Sequence, residues 1–288
     1  MLMKKKPGKV IDISGKLSGG KKRRKATDKP VMRIIAVTSG KGGVGKTSIT
    51  ANLAFALGNI GKRVLVLDAD LGLGNLDVLL GITPRYNLSH VINGEKDLDS
   101  IITTGPGNMN ILPAASGVQE LTLLTKKQKK EITQALDRLN ESFDILLIDT
   151  AAGISSNVMY FNLAAQDIFV VVTPELTSIT DAYALMKVLS MNCSRKEFRL
   201  LVNMAKNSRE AYEVYKQLCV VTERFLDISV SYIGFVLLDQ NVGKGISRQR
   251  IVSDLFPDSR ASRCISSLAE QICKWPPFFS PDVGNKAV

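Results

Sequence analysis

The sequence has few aromatic residues, few cysteines and no long apolar run. Its four cysteines (Cys193, Cys219, Cys264 and Cys273) form no C-x-x-C pair, so neither a zinc site nor a redox pair is indicated. No apolar stretch approaches the ~20 residues that cross a bilayer, and the lysine-rich amino terminus is not followed by an apolar segment. These absences argue against a transmembrane protein and an iron-sulfur carrier, and we expect a cytoplasmic globular protein with reduced cysteines.

The positive charge is concentrated at one end of the chain. The formal net charge is +11, but residues 1–29 hold eleven Lys or Arg and only two Asp, so they carry +9. This segment is rich in Lys, Gly and Ser and has few large apolar side chains to offset the entropy of ordering. Residues 1–30 are therefore predicted to be a basic flexible tail, of the kind that binds anionic lipid, nucleic acid or an acidic protein face, or only solubilises.

Short apolar runs alternate with longer helical stretches from Met32 onward. The runs are continuous rather than alternating in polarity, as in strands buried on both faces. They read MRIIAV, RVLVLDAD, MNILPA, FDILLIDT, DIFVVVTP, FRLLVNM and ISVSYIGFVL. Helices are predicted between them at 46–58, 126–141, 178–191 and 208–226. This order predicts an α/β fold with a doubly wound, mostly parallel β-sheet flanked by helices, and a ligand site at the carboxyl ends of the strands.

A last helix and a short tail close the predicted domain of residues 31–275. Apolar residues recur at helical spacing over 261–272, and Pro276 and Pro277 end the pattern. A helix packed on the sheet is favoured over a membrane-surface helix, although the WPPFF segment looks exposed. Residues 276–288 are predicted to be the C-terminal tail.

Residues 40–47 fit the phosphate-loop pattern G-x-x-x-x-G-K-(S/T), between a buried strand and an apolar-striped helix. Glycines let backbone N–H groups converge on phosphate oxygens, and the helix N-terminus adds a favourable dipole. Lys46 is predicted to reach the β- and γ-phosphates, and Thr47 to ligate Mg²⁺. The predicted nucleotide-binding residues of this segment are Gly40, Lys41, Gly42, Gly43, Val44, Gly45, Lys46, Thr47 and Ser48.

Two further strands end in carboxylates that suit a Mg²⁺-nucleotide site. DILLIDTAAG places Asp149 at the end of an apolar strand, where it can hold a metal-bound water. LVLDADLGLGNLD ends in Asp68 and Asp70, and alternate residues of a strand face the same side. Both carboxylates are predicted to project toward the nucleotide. The alternative is that they only cap the loop that follows the strand.

Nearly everything after position 31 resembles the MinD/ParA class of ATPases. The resemblance rests on the additional Lys41 in KGGVGKT, on DADLGLGNLD and on DTAAG. Within that class, LGLGNLDVLLGI, YNLSHVINGE, ILPAASG and TPELTSITDAYALMK are similar to the flagellar-number regulators, the FlhG/FleN (YlxH) branch.

The resemblance implies roles for individual residues. Lys41 would cross the interface of an ATP-sandwich dimer and contact the phosphates held by the other subunit. Asp70 would position the attacking water and assist the metal, with Asp68 beside it, and Asp149 would serve the metal. Asn203 in LVNMA and Asp239 in LLDQNV match positions that reach the adenine.

The chain departs from this branch at both ends. Residues 1–31 contain no DQA-type motif of the kind that stimulates a partner GTPase, and no separate amphipathic membrane helix follows the last core helix. Trp275, Phe278 and Phe279 with the basic tail would give at most a weak attachment to the inner face of the membrane.

The sequence therefore predicts a slow, Mg²⁺-dependent, dimer-activated ATPase that binds ATP and ADP and regulates flagellar number or placement. Its predicted partners are a second copy of itself and a flagellar regulator: an SRP-type GTPase, a transcription activator or a basal-body protein. The alternative is a ParA-like partitioning or division-site ATPase that binds DNA or membrane. The nearly balanced charge outside the tail disfavours nucleic acid. A tyrosine kinase domain is disfavoured because the last tyrosine is Tyr232.

Overall fold

The computed structural model of the protein describes residues 31–114 and 123–278. The predicted basic tail, the end of ILPAASG and Phe279 lie outside the described residues. The predicted fold class is confirmed, since the apolar runs form strands buried between two layers of helices. The described part of the chain contains eight strands: β1 (Arg33–Ser39), β2 (Val64–Ala69), β3 (Thr103–Thr104), β4 (Asn110–Leu112), β5 (Ile145–Ala152), β6 (Asp167–Val172), β7 (Glu197–Ala205) and β8 (Ser229–Leu237).

Eleven α-helices and one short 3₁₀ helix, at Pro106–Asn108, accompany these strands in the described residues. Helices α1 and α11 pack on one face of the sheet, whereas α5 to α8 cover the other. None of the described helices is long and apolar enough to span a bilayer. The α-helices are α1 (Lys46–Asn59), α2 (Leu76–Leu80), α3 (Leu88–Ile92), α4 (Leu98–Ile101), α5 (Lys126–Arg138), α6 (Ser156–Ala164), α7 (Leu176–Cys193), α8 (Ser208–Phe225), α9 (Gln240–Ser247), α10 (Val252–Leu255) and α11 (Arg260–Cys273).

The strand order places the carboxyl ends of the central strands side by side. The sheet runs β3-β4-β2-β5-β1-β6-β7-β8, and every described pair is parallel except β3 with β4. Asp68 on β2 is in register with Asp149 on β5, and Val37 on β1 pairs with Asp149 on the other side. The loop after β1 therefore begins beside the strand that carries Asp149, and the strand that carries Asp68 is the next one along the sheet.

The short elements were not predicted from the sequence. The antiparallel β3 has only two residues, and α2, α3, α4 and α10 have five residues or fewer, too short for a hydrophobic period to be visible. Helix α6 is longer, but its buried residues include Asn157 and Asn162, so its apolar pattern is interrupted.

The predicted exposure of the WPPFF segment is wrong for two of its residues, because Trp275 and Phe278 are half-buried. The indole ring meets Phe169 edge to face, and the guanidinium groups of Arg33 and Arg199 lie 5.0 and 4.2 Å from its centroid. The Val31 N–H donates to the Phe278 carbonyl at 3.0 Å. The end of the described chain is thus packed against the start of β1, at the amino ends of the strands.

Candidate nucleotide-binding site

The phosphate loop joins β1 to α1 and follows the conformation that its glycines permit. Gly43 and Gly45 have φ of 79° and 89°, in the left-handed region that other residues rarely adopt. A Cβ on Gly45 would also lie 2.5 Å from the Asn203 amide nitrogen. Glycine is therefore required at position 45 for both backbone conformation and space.

Lys46 points into the protein from the first turn of α1. Its side chain is buried, and Nζ donates to Ser39 Oγ at 3.0 Å. Burial lowers the pKa of Lys46, while the negative charges of Asp149 and Asp70 act in the opposite direction. A buried ammonium group beside a glycine loop is suited to neutralise a phosphate.

Asp149 lies under the start of α1 at the end of the apolar part of β5. It is buried, and it accepts hydrogen bonds from the Thr47 hydroxyl and from Thr50 Oγ1, the latter at 3.3 Å. Burial raises the pKa of Asp149 to about 6, although the Thr47 bond and the Lys46 charge oppose the rise. The structure therefore brings together three of the predicted residues, Lys46, Thr47 and Asp149.

Asp68 and Asp70 have different environments, although they are only two residues apart. Asp68 is 2% exposed, and its two oxygens accept the backbone N–H groups of Asp70 and Leu76 at 3.2 Å each. Burial, followed by the nearby Asp149, raises the pKa of Asp68 to about 8. Asp70 is half-buried and close enough to Lys46 to affect its pKa. Asp68 thus shapes the turn, whereas Asp70 both accepts the Leu73 N–H of that turn at 3.3 Å and places its charge near Lys46.

The donor set fits Mg²⁺ only together with a nucleotide. Among the described residues there is no group of three or more His, Cys, Asp or Glu that could hold a metal ion alone. Mg²⁺ characteristically takes one or two protein oxygens and completes its shell with phosphate and water. Thr47, Asp149 and Asp70 supply such a partial set beside the loop.

A cavity of ≈ 540 Å³ opens beside the phosphate loop, between β7, β8 and α9. Its walls are mostly apolar, with Val242 and Ile246 from α9, and both Asn203 and Asp239 lie in its lining. Asn203 donates to the Val44 carbonyl at 2.8 Å, so it ties the cavity wall to the loop. An apolar slot with a few polar groups, adjoining a phosphate cradle, fits a nucleotide base.

Asp239 also holds two helices in place. Its Oδ1 accepts the Asn241 N–H at 2.9 Å, and its Oδ2 accepts the Ala261 N–H at 3.1 Å. Burial would raise the pKa of Asp239, but these backbone hydrogen bonds outweigh it and the pKa is lowered. The carboxylate therefore joins the starts of α9 and α11 at the mouth of the cavity.

Three contributors to the site were missed by the sequence reasoning. Ser39 binds Lys46 and also donates from Oγ to the Lys41 carbonyl at 2.7 Å. Met204 lines the cavity with a left-handed φ of 58°, where the pairing of β7 with β8 is irregular. Glu175, at the start of α7, contacts Lys41. Glu175 lies within TPELTSITDAYALMK, a motif that marks the segment as shared with the family but does not indicate the contact with Lys41. The backbone irregularity at Met204 has no sequence signal.

Lys41 points away from Lys46 and toward the protein surface. Its Nζ donates to Glu175 Oε2 at 2.5 Å and to Thr177 Oγ1 at 2.9 Å, and its side chain is 36% exposed. The preceding Gly40 packs against α7, since a Cβ there would lie 2.1 Å from the Asp181 carbonyl oxygen. Lys46 therefore lies on the inner side of the loop, and Lys41 lies on its outer side.

Known proteins and a family model resemble this chain over most of its length. A family model described as an AAA domain matches residues 32–200. The antiactivator FleN of Pseudomonas aeruginosa is 45% identical over 85% of this chain and 88% of its own length. The flagellum site-determining protein YlxH of Helicobacter pylori is 32% identical over 82% of this chain and 80% of its own length.

A solved structure supports the same relationship. The septum site-determining protein MinD of Pyrococcus horikoshii, complexed with Mg-ADP, superposes with a TM-score of 0.70 at 26% identity. The match covers 84% of this chain and 96% of that protein. Both the sequence and the fold therefore relate this chain to the same group of proteins, of which one solved member is complexed with Mg-ADP.

Proposed function

Since this chain belongs to the MinD/ParA family of ATPases, in the branch of the flagellar-number regulators, we propose that it is an ATP-driven dimerisation switch that limits the number or placement of flagella. The observation that carries the proposal is the pair of lysines in one phosphate loop. Lys46 is buried beside the predicted phosphate position, whereas Lys41 is surface-accessible at 36% exposure. Lys41 is paired at the surface with Glu175, a partner that it can exchange for the phosphates of a neighbouring protomer.

Each residue of the site has a separate role in ATP hydrolysis. Lys46 and the loop N–H groups bind the phosphates, Asp70 orients the attacking water, and Lys41 of the second copy stabilises negative charge that develops in the transition state. Thr47, Asp149 and Asp70 would hold Mg²⁺, which neutralises phosphate charge when bound. Asn203 and Asp239 lie where a base would fit. The Mg-ADP bound in the Pyrococcus horikoshii relative supports this assignment.

Activation by dimerisation follows from the position of Lys41. A monomer lacks the neighbour's cation, so its hydrolysis is slow and its ATP state is long-lived. Removing one cation that stabilises a transition state typically costs two or more orders of magnitude in rate. The ATP-bound dimer is thus the signalling state, and hydrolysis resets it.

The experiment that tests the switch is measurement of molecular mass in solution with ADP and with ATP. We expect the parent to be monomeric with ADP and dimeric with ATP, and Lys41→Ala to remain monomeric with ATP. Asp70→Ala should dimerise but hydrolyse ATP at least about tenfold more slowly. Lys216→Ala, which removes an exposed lysine paired with Glu213 on α8, serves as control. Dimerisation of Lys41→Ala at parental affinity, or parental hydrolysis by Asp70→Ala, would contradict the proposal.

The flagellar role rests on the two curated relatives. One is named an antiactivator and the other a flagellum site-determining protein, so we propose a transcription activator as the first partner to test, followed by a flagellar GTPase and a basal-body protein. In a flagellated host that lacks its own relative, the parent chain should restore the flagellar number and Lys41→Ala should not. Equal restoration by both would contradict the role of the switch.

We also propose a cytoplasmic location with weak, peripheral attachment to the membrane. The support is the +9 charge of residues 1–29, which would be attracted to an anionic lipid surface. Sedimentation with vesicles of phosphatidylglycerol should exceed that with phosphatidylcholine, and deletion of residues 1–29 should abolish the difference. Salt-dependent binding to plain DNA that this deletion removes would instead favour the partitioning alternative.

A further inference from the structure

The described residues that hold Lys41 come from α7 of the same chain. Glu175 accepts Lys41 Nζ at 2.5 Å and Thr177 accepts it at 2.9 Å, although the ion pair joins residues 134 apart in the sequence. The backbone of Lys41 is fixed as well, because its carbonyl accepts from Ser39 Oγ. The ammonium group is therefore held by two oxygens of its own protomer.

The contact between Glu175 and Lys41 does not arise from helix capping. Glu175 is the N-cap residue of α7, yet its side chain makes no hydrogen bond to the backbone N–H groups at that helix end. Those groups are the usual partners of an N-cap side chain. The carboxylate turns instead toward the phosphate loop, so its described partner at this place is Lys41.

From these contacts we infer that Glu175 and Thr177 are positioning residues that hold Lys41 in cis and compete with the second copy's ATP for its ammonium group. This inference rests on the proposed dimerisation switch. Each protomer must exchange the Glu175 carboxylate for its neighbour's phosphates when the dimer forms. Glu175 thus raises the protein concentration at which ATP produces dimers and limits dimerisation by ADP-bound or empty protomers.

The exposure of the pair makes the exchange reversible. The side chains of Lys41 and Glu175 are 36% and 64% exposed, and ion pairs of this kind contribute little free energy because water and salt screen them. Two such pairs are broken in each dimer. We therefore expect removal of the carboxylate charge to tighten dimerisation by about three- to tenfold.

The test uses the full chain with Mg²⁺ and an ATP analogue that is not hydrolysed, and measures the dimer dissociation constant by analytical ultracentrifugation. Glu175→Gln keeps the shape of the side chain and should lower that constant about three- to tenfold. Thr177→Val should lower it less. Asp227→Asn removes an exposed carboxylate that also pairs with a lysine, Lys196 at 2.7 Å, but at the opposite end of the sheet, and it should leave the constant unchanged.

The dependence of dimerisation on ionic strength distinguishes competition by Glu175 for Lys41 from a purely structural role of Glu175. Raising the salt concentration screens the cis pair of the parent, so the gap between the parent and Glu175→Gln should narrow. A structural defect would weaken dimerisation rather than tighten it. Equal or weaker dimerisation of Glu175→Gln would overturn the inference while the proposed function stood. A parent that stays monomeric with the analogue at every concentration would overturn the proposed function, and the inference with it.

Discussion

The lysines of the phosphate loop differ in function because they lie in different environments. Lys46 is buried, bonded to Ser39 and surrounded by carboxylates, so it serves the phosphate within its own protomer. Lys41 is partly exposed and bonded to Glu175 on α7. The four residues between them in the sequence are enough to direct one side chain inward and the other outward.

Asp68 should make the stability of the empty protein depend on pH. Its pKa is about 8 when folded and about 3.9 in an unfolded chain, so the folded state binds more protons between these values. Stability is then highest at low pH within this window and is lost as pH rises. In nucleotide-free buffer with EDTA, the unfolding free energy of the parent should fall by about 1–3 kcal/mol more than that of Asp68→Asn between about pH 5 and pH 8.

Urea unfolding at several pH values measures this difference. Asp144→Asn is the matched control, because Arg63 lowers the pKa of Asp144 against the opposing effect of burial, and this carboxyl therefore stays ionised over the whole window. A parent and an Asp68→Asn variant with parallel pH profiles would show that Asp68 is ionised in the folded protein.

At this scale the sequence predicted which residues lie together at the site better than it predicted their contacts. The phosphate-loop pattern was sufficient for Lys46 and Thr47, and the apolar strand before Asp149 was sufficient for that carboxylate. The partner of Lys41 could not be predicted, because Glu175 is 134 residues away and reaches the loop only through the packing of α7 against Gly40. Ser39 carries no pattern that separates it from any other serine at a strand end.

At the scale of single elements, the ends of β7 and β8 build the base-sized cavity. The pairing of β7 with β8 is irregular between Val202 and Ala205, and Met204 there has a left-handed φ. Irregular strand ends redirect side chains near functional sites. Asn203 is thereby placed under the phosphate loop, where it donates to Val44.

Asp239 should be important for stability because one carboxylate caps two helices, α9 and α11. Replacing Asp239 with Ala should lower the unfolding free energy by about 1–3 kcal/mol and weaken nucleotide binding at the cavity mouth. Asp258→Ala is the control, since that carboxylate is 93% exposed and its ion pair with Arg263 is 3.7 Å long. Thermal unfolding with and without ADP measures both effects. Equal losses in the two variants would show that the double cap contributes nothing.

Long, patterned elements could be predicted and short ones could not. The stripe of Ala261, Ile265, Leu268 and Ile272 predicted α11, and all four side chains are buried. Helix α9 has only eight residues and two glycines, and its position depends on the Asp239 cap. Tertiary contacts rather than sequence period therefore determine such helices.

At the scale of the whole molecule, the sheet separates two functional ends. The phosphate loop, the acidic strand ends and the base-sized cavity lie at the carboxyl ends of the strands. At the amino ends, Asp167 is buried between Arg33 and Arg199, at 2.8 and 2.6 Å, and both guanidinium groups cover Trp275. The second cluster stabilises the fold where no nucleotide is expected.

Trp275 should therefore affect stability without affecting the switch. Trp275→Ala removes an edge-to-face contact with Phe169 and two cation–π contacts, and it should lower the unfolding free energy by about 2–3 kcal/mol. Dimerisation with ATP, measured well below the unfolding temperature, should stay at the parental level. Trp275→Phe should recover part of the loss. A folded Trp275→Ala variant that no longer dimerises would show that the two ends of the sheet are coupled.

The hydrogen bond from Val31 to the Phe278 carbonyl has a topological consequence. The first and last described residues are in contact, at 3.0 Å between nitrogen and oxygen, so the two ends of the described part of the chain meet as in a ring. A ring has no unique starting point, and the neighbour relations of the strands would be the same if the polypeptide were opened at another surface loop and joined here. The strands and helices around the phosphate loop would therefore keep the same neighbours whichever of them came first in the polypeptide.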